Sequence, residues 1–245
     1  MIINRIPRAY TAGVPWDLSA NTAAQFLCDD NLATKVAIDV EGTDGTSTTN
    51  TEDLHIAGPF GTGAFDFATN QYIDMNQAFQ TTLRSACSFS AWIKPDDGQP
   101  ADANCILGTY NGNPGAFLLR VEPTGKIYIQ YRETGHAVVA TSTSAVFANG
   151  ATSWTNVLCT LDSTSIKLYI NSVDTALDNN SMSTVTMANY TNTRNCFIAS
   201  QNALGTPVKF FNGGLKDFRV MDRVTTQAEI DGIYNSGSGT EAQKG

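Results

Sequence analysis

The sequence predicts an all-β protein, a two-sheet antiparallel sandwich with one short C-terminal helix. Three observations point there. Only 16% of the 245 residues are charged, against about 25% in ordinary globular chains. The polarity comes instead from Thr, Ser, Asn and 20 Gly, which suit strand faces and turns better than helix surfaces. Apolar residues also recur at period two: Ile127, Ile129 and Tyr131 fall on one face of a run, as do Ile166, Leu168 and Ile170. A helical bundle is excluded by this composition, and so is intrinsic disorder, since 42% of the chain is hydrophobic.

Taken in order, residues 1–20 read as an extended arm, broken by Pro7, Gly13 and Pro15. The arm holds two arginines against one aspartate, whereas the rest of the chain holds 13 basic and 22 acidic residues. Ile3, Ile6, Tyr10 and Trp16, with Arg5 and Arg8, make it apolar and cationic, a composition suited to contact with a neighbour. A single domain follows over residues 21–236. Its β-type runs include Lys35–Val40, Ser88–Ile93, Ala116–Val121, Lys126–Tyr131, Trp154–Leu161, Ser165–Ile170, Cys196–Ala199 and Leu215–Val220. Turn clusters such as Gly108–Gly115, Glu122–Gly125 and Asp162–Thr164 separate them. Thr225–Tyr234 reads as a helix with Thr225 as N-cap and Ile230, Ile233 and Tyr234 on one face. Residues 237–245 read as a flexible tail.

A net charge of −8 and a pI near 4.6 argue against nucleic-acid binding. No run approaches the roughly 18 apolar residues needed to span a bilayer, so no membrane insertion is expected. Arg5, Pro7 and Arg8 stand where a signal peptide needs an uninterrupted apolar stretch. Cys28, Cys87, Cys105, Cys159 and Cys196 are odd in number, and four of them lie inside apolar runs, without metal-ligand spacing. Five unpaired thiols and synthesis in a host cytoplasm, without a signal peptide, are the expectation.

Four motifs occur in a familiar order. Phe65-Asp66-Phe67 precedes Tyr72-Ile73, and Ser88-Phe89-Ser90-Ala91-Trp92-Ile93-Lys94-Pro95 follows. Trp154-Thr155-Asn156-Val157 is then paired with Leu168-Tyr169-Ile170-Asn171, and Phe211 to Val220 closes the set with Arg223, Glu229-Ile230 and Tyr234. Together they resemble the LamG-like jelly roll of the concanavalin A-like lectin/glucanase superfamily, over about residues 24–235. The resemblance implies a jelly-roll sandwich with Trp92 and Trp154 at core positions. It implies no cofactor beyond the structural calcium some relatives carry, for which Asp39, Glu41 and Asp44 could supply some of the oxygen ligands. Lys216-Asp217 stands where the family has an acidic pair, which weakens that expectation.

Catalysis is not expected. Glycoside hydrolysis needs two carboxyl groups about 5–9 Å apart, and no strand here carries such a pair. His55 and His136 each stand alone, His136 in a loop beside Gly135. Two loops offer glycan-binding chemistry, an aromatic face with amides for hydroxyls: Tyr110 with Asn111 and Asn113, and Tyr190 with Asn189 and Asn192. Low-charge, Thr/Asn/Ser-rich jelly rolls also resemble the decoration and fibre proteins of tailed bacteriophages. The expectation is therefore a non-catalytic virion-surface protein, a capsid decoration bound to a major capsid protein and to copies of itself. A tail adhesin or a bacterial lectin for a cell-surface glycan is the alternative.

Overall fold

In a computed structural model, the residues described are 21–112 and 114–239. The arm residues Ile3, Arg5, Ile6, Arg8, Tyr10 and Trp16 lie outside them, as do Asn113 and residues 240–245. In chain order the first strands are β1 (Thr22–Phe26), β2 (Val36–Ala37), β3 (Gly45–Ser47), β4 (His55–Ala57), β5 (Gly63–Phe67), β6 (Ile73–Asp74) and β7 (Cys87–Pro95). Next come β8 (Asn104–Tyr110), β9 (Ala116–Val121), β10 (Ile127–Glu133), β11 (His136–Ser142), β12 (Thr155–Leu161) and β13 (Ile166–Ile170). The series ends with β14 (Val173–Thr175), β15 (Leu177–Asp178), β16 (Phe197–Ile198), β17 (Gln201–Ala203), β18 (Thr206–Val208) and β19 (Gly213–Met221). Two single-turn helices, α1 (Thr51–Leu54) and α2 (Gln80–Leu83), the longer α3 (Gln227–Tyr234) and two short 3-10 segments, Met187–Asn189 and Asn235–Gly237, complete the described elements.

The strands form two sheets. One runs β14-β13-β12-β7-β19-β5-β4, with β1 paired to β19; the other runs β15-β11-β10-β9-β8-β16-β6-β3-β2. Pairing is antiparallel except where β17 lies parallel to β8. The expected jelly-roll-like sandwich is therefore present. Between the sheets, Phe89, Ala91 and Ile93 of β7 meet Phe117, Leu119 and Val121 of β9 in the main core. The Phe89 and Phe117 rings stack at 4.3 Å. Alternation sends Trp92 to the opposite face, where it lies between Phe60 and Tyr234 and outside that core. Trp154 is half-buried, and its indole covers Gly214 so closely that a Cβ there would stand 2.6 Å from the ring. Both tryptophans thus serve the outer face rather than the inter-sheet core.

Helix α3 covers that outer face, packing Ile230 and Ile233 on Leu158, Tyr169 and Met221. Its N-cap is Thr226, one residue beyond the expected Thr225, because Glu229 closes a capping box with Thr226. Thr225 is instead held by Ser88, whose Oγ accepts its N–H at 2.9 Å. Burial pushes the Glu229 carboxyl up, but hydrogen bonds from Arg223 and Thr226 outweigh it and hold it below the usual range. All five cysteines are unpaired and buried, and burial pushes the Cys105 and Cys159 thiols up to about 12.

Strand β19 carries three buried charges under β1. Asp217 sits at a β-bulge with φ +48°, a conformation Asp tolerates better than most residues. Its carboxylate accepts from Arg219 at 2.9 and 2.6 Å and from Gln25 at 2.8 Å. Lys216 reaches Asp29 at 3.2 Å. Nearby, the Asp39 carboxylate is occupied by the N–H groups of Gln25 and Glu41, and Asp44 accepts from Asp39 N–H. Burial pushes Asp39 up, and Asp30 to about 6. Among the described residues, no group of three His, Cys, Asp or Glu is arranged to hold a metal ion.

Candidate functional site

Beyond the end of β8, three segments distant in sequence converge. Asn111 N–H donates to Gly115 C=O at 3.0 Å. Residues 190–195 lie across it, with Thr191 N–H bonded to Pro114 C=O at 2.9 Å. The β17–β18 hairpin joins from the third side through Leu204 N–H and Tyr110 C=O, also 2.9 Å. Gly115 makes this crossing possible. Its φ is +154°, and a Cβ there would stand 2.8 Å from the Tyr190 ring.

Asn192 braces the junction. Its Nδ2 donates to Thr109 Oγ1 at 2.9 Å and to Gly115 C=O at 3.2 Å, while its Oδ1 accepts from Arg194 N–H at 2.9 Å. That bond turns Arg194 so that its Nε donates to Asn111 Oδ1 at 2.8 Å. Asn202 fixes the far wall, bonding Asn195 C=O and Gly205 N–H, each at 2.8 Å. A cleft of about 510 Å³ results, lined by Asp74, Asn111, Thr193, Arg194, Asn195, Phe197, Asn202 and Gly205. Every side chain there is polar except Phe197, which is buried and stacked on Tyr72 at 4.7 Å. With Nε committed to Asn111, the guanidinium is aimed by a neutral partner and stands in no ion pair with a carboxylate among the described residues. Such a cleft offers charge-assisted and amide hydrogen bonds to a hydroxyl-rich ligand.

Of the residues expected to touch a ligand, Asn111 lines this cleft. Tyr110 is half-buried, lies at the end of β8 rather than in a turn, and stands outside it. Two expectations are overturned. Tyr190 is fully buried beside Tyr131, ring centroids 5.7 Å apart, so its ring cannot stack on a sugar. Asn192 is equally buried and spends its amide on the protein. Both hold the loops that form the cleft instead of lining it. His136 opens β11 instead of lying in a loop, and its exposed ring bonds Glu133 at 3.0 Å. Sequence reasoning missed Arg194; the available signal was a single cation inside Thr191-Asn192-Thr193-Arg194-Asn195.

No curated protein matches the chain. Among solved structures, the botulinum neurotoxin serotype D binding domain is similar at TM-score 0.63 and 13% identity, covering 90% of this chain and 52% of its own. The chain thus spans about half the length of the neurotoxin domains it matches. The Ruminococcus gnavus IT-sialidase CBM40 is similar at TM-score 0.56 and 15% identity, covering 68% of this chain and 94% of its own. A Trypanosoma rangeli sialidase mutant with trans-sialidase activity matches at TM-score 0.62 and 14% identity, over 94% of this chain and 35% of its own. At these identities the likeness concerns the fold. A family model, in contrast, matches residues 67–231, most of the chain. On that match the chain belongs to the Laminin_G_3 family of the concanavalin A-like lectin/glucanases superfamily.

Proposed function

We propose that this chain is a non-catalytic, lectin-type binding protein whose glycan ligand enters the cleft beside Arg194. The observation that carries the reading is the half-buried guanidinium aimed by Asn111 into a polar cleft. Fold neighbours support it: the toxin domains are described as receptor-binding, and the Ruminococcus module has been solved with α2,3-sialyllactose. The non-catalytic reading draws support from the lining, whose one carboxylate, Asp74, already accepts Asn76 N–H at 2.8 Å. Hydrolysis would need a second acid. On a glycan array holding α2,3-sialyllactose and neutral galactans and glucans, the protein should retain at least one class. Arg194→Ala should weaken that binding about tenfold or more, the worth of one charge-assisted hydrogen bond, with the melting temperature nearly unchanged. Binding indifferent to Arg194→Ala, or sugar release from β-glucans, galactans or alginates, would overturn the reading.

Residues 1–20 favour an additional role in assembly. Their apolar, cationic composition contrasts with an acidic body, which suits an extended segment laid along a neighbour. In this reading the chain decorates a virus particle, contacting a major capsid protein and further copies of itself, with a tail location as the alternative. Deleting residues 1–18 should leave a soluble monomer with nearly the same melting temperature but abolish incorporation into particles or self-association. A truncated protein that unfolds or aggregates would make the arm part of the domain and end the anchoring idea.

A further inference from the structure

Lys216 stands in place of the first acid of the family's acidic pair, and it is fully buried. Register sets it beside Trp92 of β7, itself buried, so the lysine stem runs through a dry part of the outer face. Its Nζ lies 3.2 Å from Asp29 Oδ2, with side-chain exposures of 0% for the lysine and 9% for the aspartate. Asp29 follows β1, where Cys28 takes φ +57° and Asp217 N–H fastens Leu27 C=O at 3.1 Å. Gly63 of β5 leaves room for it: a Cβ there would stand 3.1 Å from Asp29 Cβ. A third carboxyl, Asp30, is close enough to feel both charges. Burial, reinforced by Asp29 and Asp44, lifts Asp30 to about 6 against the opposing pull of Ile38 N–H and Lys216, so it takes up a proton more readily than an ordinary aspartate.

We propose that Lys216 and Asp29 join in an intramolecular isopeptide bond, which the chain forms on itself with Asp30 as proton carrier. The ion pair and the amide differ by one water. Away from solvent, a proton crosses the Lys216–Asp29 hydrogen bond to give an amine and a neutral acid, because water stabilises neither charge there. Nζ then attacks Asp29 Cγ. That carbon is one covalent bond from Oδ2, so the pair is held close to the roughly 3–3.5 Å of a near-attack geometry. The Nζ–Cγ bond forms and the Cγ–Oδ2 bond breaks. Asp30 takes the second proton from Nζ and returns it to the leaving hydroxyl, which departs as water. Nothing is oxidised or reduced, and no co-reactant enters. The amide removes two buried charges whose desolvation opposes folding, and it ties the segment after β1 to β19 across 187 residues of sequence. Lys209 and Asp102 approach more closely, at 2.5 Å, but are 35% and 72% exposed; water keeps both charged, and no bond forms there.

The intact mass of the folded full chain tests this. It should fall below the sequence mass by one water, and a tryptic digest should yield a branched peptide joining residues 29 and 216, uncut after Lys216. Lys216→Met should return the full sequence mass. Asp29→Asn should still link but lose ammonia in place of water, a change that a purely structural ion pair would not produce. Asp30→Asn should slow linkage about a hundredfold, so that unlinked chain persists through purification. Wild-type protein that melts cooperatively yet carries the full sequence mass would overturn the proposal. So would a water loss that survives Lys216→Met, or a linked fraction unmoved by Asp30→Asn.

Discussion

Replacing Asp217 with alanine should destabilise the fold by about 3–5 kcal/mol, the cost of breaking a buried ion pair from one side. The carboxylate is 1% exposed and holds three hydrogen bonds: two from Arg219, itself 1% exposed, and one from Gln25 of β1. Its backbone adds a second reason. Asp217 takes φ +48° at the bulge, and alanine is less comfortable in that region than Asp. Asp217→Asn separates the two effects, because asparagine suits the positive φ and keeps an acceptor while losing the charge. It should fall between wild type and the alanine variant. Urea unfolding with an unchanged slope measures both. A loss under about 1 kcal/mol for Asp217→Ala would mean that this carboxylate does not hold β1 to β19.

Phe89→Ala should cost a similar amount, about 3–5 kcal/mol, through lost burial and the cavity left behind. Phe89 is fully buried on β7, between β12 and β19 at the centre of its sheet, and its ring stacks on Phe117 of the opposite sheet. The contact is therefore a direct tie between the two layers. Phe89→Leu, which refills most of the space, should recover more than half of the loss. The same urea titration reads both variants. Equal midpoints for Phe89→Ala and wild type would remove Phe89 from the core.

The sandwich was legible because its cause is local. Ile127, Ile129 and Tyr131 do face the core, as do Ile166 and Leu168, since strand side chains alternate wherever the chain is extended. Helix α3 was equally legible, with a one-residue error at its start. The capping box Thr226–Glu229 was available in the sequence and would have corrected it. Strand β11 was missed because His136, Ala137 and Val139 are exposed residues of a strand near the edge of its sheet, where the apolar alternation is weak.

The candidate site was not legible in the same way. Composition and turn chemistry marked residues 108–115 and 187–192 as two separate loops, and period-two reasoning has nothing to say about which loops meet. Only strand order decided that. β16 pairs antiparallel and β17 parallel with β8, which carries residues 190–195 and the β17–β18 hairpin to the end of β8. The Asn111–Arg194 bond then forms across 83 residues of sequence. The same convergence buries Tyr190 and Asn192 and leaves Arg194 at the cleft. Most strands, the turns and the C-terminal helix, with their apolar faces, follow from residue order alone, because those depend on neighbours a few positions apart. Which polar groups meet, and which of them are spent on one another, follows from the pairing of distant strands and is written in no local pattern.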